Sequence, residues 1–156
     1  NDVSCPDEKI CLEDAKKYVE AKAFYAEASK YVQDKLGTFD AAAMVVFCSS
    51  QNCFHKFGGG RKAALTIGTF GTVISPRGWQ GYYVRHELIH QWQAEKLGNL
   101  KFWRMPAWLR EGMAYSLSGD PRKVLNEPFQ SYRDQFEQWN RARGQKDLLA
   151  AIKEVQ

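Results

Sequence analysis

Apolar residues recur at near-helical spacing along residues 12–36, where Val19, Ala23, Ala26, Tyr31 and Val32 outline one face and Gly37 closes the pattern, so this stretch is expected to be one long helix. Residues 43–48 form a short, continuous apolar run rich in β-branched side chains, which predicts a buried strand. Residues 49–62 are rich in Ser, Asn and Gly and read as a loop. Two further apolar segments, 64–68 and 72–74, predict strands interrupted by Gly68 and Gly71, and the turn residues Ser75, Pro76 and Gly78 lead into the next element. Residues 81–97 contain no proline, place Val84, Leu88, Ile89 and Trp92 on one stripe and end at Gly98, so they predict a helix seated against a core. Another helix is expected to open near Pro106 and to break at residues 118–121. Phe129, Tyr132, Phe136 and Trp139 then mark a helix over 129–143, and a last one is expected over 146–154, after Gly144.

At 156 residues, with 44% hydrophobic and 13% aromatic content, the chain is expected to form a single domain over residues 1–156 with a sizeable core. The net charge of +4 comes from basic residues scattered among acidic ones. Arg61-Lys62 and Arg141-Ala142-Arg143 read as solvated surface, which argues against a nucleic-acid partner. No apolar run approaches a membrane span. The four cysteines fall into two local pairs. Three connectivities are open, and the local one, Cys5–Cys11 with Cys48–Cys53, would close two small loops. The chain opens at Asn1 without methionine or a leader, as a processed exported protein would; with paired cysteines this leads to the expectation of a secreted or periplasmic protein.

The chemistry is concentrated in His86-Glu87-Leu88-Ile89-His90. Histidines at i and i+4 of a helix stand one above the other, so both imidazoles can reach one metal ion. Glu87 points to the neighbouring face, where it can take a proton from a metal-activated water without being a ligand. A zinc site of this kind needs a third protein ligand. Glu111 lies about twenty residues on, in the stretch Trp108-Leu109-Arg110-Glu111-Gly112-Met113-Ala114. Two rivals are weaker. Cys48 and Cys53 lack the flanking residues of peptide deformylases and have a use as a pair. His55 sits beside Gly58, Gly59 and Gly60 in the expected loop, and His90 is the last of three histidines, so no third histidine follows the pair.

H-E-x-x-H followed by W-L-x-E-G-x-A resembles the gluzincin branch of zinc metallopeptidases, the group that contains thermolysin; the likeness covers roughly residues 80–119. The resemblance implies one zinc per chain, with His86, His90 and Glu111 as ligands and Glu87 as general base. It implies an α+β, zincin-like domain: a short mixed sheet, a motif helix, a glutamate helix and C-terminal helices. It further implies a peptide or protein substrate that adds to an edge strand along the cleft, for which 64–68 and 71–74 are the candidates. A donor for the oxyanion is not carried by any matching motif; Tyr132 heads the candidates, with His55 and Tyr82 as alternatives. Some gluzincins place a carboxylate four residues after the ligand glutamate, but here that residue is Tyr115, which leaves Asp120 or a backbone carbonyl to orient a histidine. The aminopeptidase stretch Gly-x-Met-Glu-Asn is absent, so an endopeptidase is expected. The alternative is a catalytically silent binding module of the cell envelope on the same scaffold. Oligomeric state is left open by the sequence.

Overall fold

The computed structural model describes residues 3–41 and 43–155. Its centre is a four-stranded sheet of β1 (Ile10–Leu12), β2 (Val45–Phe47), β3 (Ala64–Thr66) and β4 (Thr72–Ile74), in the order β1-β2-β4-β3. The first three strands in that order run parallel, and β3 is an antiparallel edge strand on β4. Around it lie seven α-helices among the described residues: α1 (Tyr18–Leu36), α2 (Gln51–Lys56), α3 (Gly81–Leu97), α4 (Asn99–Arg104), α5 (Ala107–Leu117), α6 (Phe129–Ala142) and α7 (Leu148–Glu154). The architecture is α+β with a mixed sheet, as expected.

Alternation along the strands divides the core in two. Ile10, Leu12, Val45, Phe47 and Ile74 join the main cluster with α1 and α3, while Cys11, Val46 and Val73 face a smaller cluster with Phe54 of α2. Both expected disulfides, Cys5–Cys11 and Cys48–Cys53, are formed, and each touches that second face. The stripe Val84, Leu88, Ile89 and Trp92 of α3 is buried as its spacing predicts.

Three expectations are corrected. Residues 12–36 are not one helix: Leu12 ends β1, Asp14 accepts a hydrogen bond from Lys16 N–H to cap a short 3-10 turn, and α1 starts only at Tyr18. The buried face of α1 carries Ala21, Ala28 and Val32, whereas Val19 is 80% exposed. The expected loop 49–62 contains α2, because Ser50 Oγ accepts from Cys53 N–H and the Glu13 carboxylate accepts from Ser49 N–H, Ser50 N–H and Ser50 Oγ. The Ser50 hydroxyl satisfies one of the free donors that open a helix, and Glu13 fixes the cap residue itself. Gly59 then closes over Phe54, whose ring leaves no room for a Cβ there. The helix α4, between Gly98 and Met105, has no forerunner in the pattern; Asn99 fixes its start by accepting from Thr69 N–H and donating to Thr69 Oγ1.

Of the two candidate edges, β3 is the edge and β4 is internal. Ser75 N–H donates to Ala63 O and Ile67 N–H to Gly71 O, so residues 63, 65 and 67 turn their backbone groups toward β4. By the alternation of an antiparallel ladder, Ala64 and Thr66 turn theirs outward.

Candidate metal centre

The helix α3 brings His86 and His90 to one buried face, and α5 carries Glu111 opposite them. Gly112 lets α5 lie close on α6: a Cβ there would lie 2.2 Å from Tyr132 O of α6, so the ligand helix and α6 are in backbone contact. The facing atoms are His86 Nε2 and His90 Nε2, 3.1 Å apart, with Glu111 Oε2 at 3.6 Å from the first and 3.4 Å from the second. Tetrahedral coordination with bonds of about 2.0–2.2 Å sets ligand atoms about 3.3–3.6 Å apart. The carboxylate oxygen lies at these separations from both nitrogens, and the nitrogens are slightly closer to each other; together they form a group that could hold a metal ion.

Each donor is held from behind. Gln93, fully buried, donates its amide to Arg110 O at 3.1 Å and points Oε1 at His90 Nδ1, 2.8 Å away. Oε1 can only accept, so Nδ1 carries a proton, and Nε2 is the ring atom turned to His86 and Glu111, the one that would meet a metal. Arg110 Nε donates to Glu111 Oε1 at 3.3 Å, leaving Oε2 to face the histidines. Tyr115 packs edge-on against His86, with ring centroids 4.4 Å apart.

Glu87 is 6% exposed, and its Oε2 accepts from Thr66 Oγ1 at 2.6 Å. A hydroxyl has a single proton to give, so the direction of the rest of the chain follows. Thr66 donates to Glu87, Thr72 Oγ1 donates to Thr66 Oγ1 over 2.7 Å, and Gln91 Nε2 donates to Thr72 Oγ1 over 2.8 Å. Three residues of β3, β4 and α3 thus orient one carboxylate.

Burial alone would lower the His90 pKa, but the charge and hydrogen bond of Glu111, with the charge of Glu87, outweigh it and raise it to about 9. Burial opposes ionisation of Glu111 too, yet His90 and His86 hold its carboxyl well below the usual carboxylate range. The negative field that retains a proton on the imidazole also favours a cation in its place. Burial, reinforced by Glu111, pushes the Tyr115 hydroxyl up to about 12, so it remains a neutral donor.

No family model, no curated protein and no solved structure matches this chain.

These atoms line a cleft of about 780 Å³, walled by β3 on one side and by α5 and α6 on the other. Tyr132 lies in its lining, together with Tyr83 and Tyr115, which pattern reasoning did not propose as donors. His55 and Tyr82 lie outside it. His55 is exposed on α2, near Gly60 O, and Tyr82 packs against Tyr83 beneath Arg122. Cys48 and Cys53 are spent on their disulfide. Asp120 turns to Arg122, and a glutamine side chain, not Asp120 or a backbone carbonyl, orients His90. Gln93 sits three residues after His90, a spacing that the sequence does display, but an amide at that position carries no signal of its own.

Proposed function

We propose that the chain is a zinc-dependent peptidase of gluzincin type, acting as an endopeptidase on extended polypeptide and working in a secreted or periplasmic setting. The observation that carries this reading is the convergence of His86, His90 and Glu111 with Glu87 held beside them by Thr66. A zinc ion bound by the three ligands supplies Lewis acidity, acidifying water and polarising a carbonyl. Glu87 accepts the proton of the attacking water and returns it to the amide nitrogen as the C–N bond breaks. The outward N–H and C=O groups of Ala64 and Thr66 pair with substrate backbone, which fits an internal stretch of chain better than a terminus. Tyr115, whose hydroxyl burial keeps neutral, and Tyr132, which lines the same cleft, are the candidate donors to the oxygen that gains charge. The two disulfides fit an oxidising compartment, and no helix among the described residues is long and apolar enough to cross a membrane.

The test is metal analysis of the purified protein with a mixed-peptide cleavage assay. The reading expects one zinc per chain and cleavage that a chelator abolishes and added zinc restores. Zinc retained with no cleavage of any peptide would leave the silent binding module in its place.

A further inference from the structure

The cations that line the cleft are of two kinds. Arg110 is paired with Glu111, and Arg122 with Asp120. At the start of the edge strand, Arg61, Lys62 and Arg77 are all exposed, all line the same cleft, and pair with no carboxylate among the described residues. They are gathered by contact, since the Arg77 guanidinium donates to Arg61 O. At the other end of β3 the surface changes character. The hairpin tip carries Phe70, 71% exposed, stacked on Trp103, 51% exposed, with ring centroids 6.4 Å apart. An extended ligand paired with Ala64 and Thr66 therefore runs from an unneutralised basic end to an aromatic one.

We infer that the cleft selects peptide segments with an acidic side chain over Arg61, Lys62 and Arg77 and an apolar one over Trp103 and Phe70. The inference rests on the peptidase reading and supplies its substrate class. Thr66 holds Glu87 and so marks where the bond is cut, and Lys62 lies four residues before it. β3 begins at Ala64, so at about 3.3 Å per strand residue the separation is at most about 13 Å, and the reach of a long side chain places the acidic residue about two to four positions from the cleaved bond. Arg61 and Lys62, which read as plain solvated surface along the chain, gain a partner only because the fold sets them beside Arg77 at the mouth of the cleft.

The experiment uses the zinc-loaded Glu87→Gln protein and fluorescent ten-residue peptides that differ at one end in Glu, Gln or Lys. Equilibrium anisotropy should rank Glu above Gln above Lys. A preference of about five- to tenfold for Glu over Gln is expected, shrinking as salt is raised. The double variant Arg61→Glu/Lys62→Glu, made in the same protein, should reverse that order while binding the Gln peptide as before. Equal binding of the three peptides, or an order unchanged by the double variant, overturns the inference and leaves the peptidase reading standing. Failure of every peptide to bind removes both.

Discussion

On the face of the sheet covered by α1 and α3, β3 and β4 send Thr66 and Thr72 to polar partners on α3. On the face covered by α2, the strands present Cys11, Val46 and Val73 to a closed apolar cluster stapled by Cys5–Cys11 and Cys48–Cys53. The first face buries polar groups and orients them by hydrogen bonds; the second satisfies its few polar groups with the Glu13 and Ser50 cap and relies on covalent links. The chemical face therefore depends on a chain of side-chain hydrogen bonds from Gln91 through Thr72 and Thr66 to Glu87, which a single substitution can break. Changes there should register in metal binding and turnover, and changes on the α2 face in stability.

The sharpest break of this contrast is removal of a donor. Glu111→Ala should lower zinc affinity by more than the roughly 10–100-fold that losing a supporting partner costs, and Gln93→Leu should fall within that range. Competition with a zinc chelator measures both, and equal affinities for wild type and Glu111→Ala would remove Glu111 from the ligand set. A smaller effect is expected at Thr66. Thr66→Val should reduce kcat about tenfold, the worth of one hydrogen bond to a charged group, with zinc content unchanged and Thr66→Ser restoring the rate. Loss of zinc in Thr66→Val would mean the threonine supports the fold and not the orientation of Glu87.

The smallest effect lies on the α2 face. The Ser50 hydroxyl, and after it the Ser50 and Ser49 N–H groups, hold the Glu13 carboxyl below its ordinary value of 4.5 against the opposing effect of burial. A depressed carboxyl stabilises the fold fully above that value and loses its contribution as pH falls through the lower, folded one. Glu13→Gln should therefore cost about 1 kcal/mol at neutral pH, allowing for solvent screening, and less in acid, by urea unfolding. Activity per bound zinc should not move.

What the sequence made legible follows from how local each feature is. The donors of α3 lie at i and i+4 of one helix, and its apolar stripe of Val84, Leu88, Ile89 and Trp92 is large and regular, so both could be read in place. The buried face of α1 is not legible in the pattern because two of its positions are the small Ala21 and Ala28, while the more hydrophobic Val19 is turned to solvent. Ile10–Leu12 became a strand through pairing with β2, a partner more than thirty residues away, so no local pattern announces it. The support of Glu87 is assembled from two strands and a helix, and threonine and glutamine at those positions look like ordinary polar residues until the fold joins them.

The central claim is that one carboxylate, Glu87, turns a zinc-holding cleft into a peptidase. Zinc content and peptide hydrolysis measured side by side on wild type and Glu87→Gln test it most directly. The account predicts one zinc per chain and an unchanged fold in both proteins, with hydrolysis in the variant lower by about a hundredfold or more. Equal rates of hydrolysis in the two proteins would contradict it.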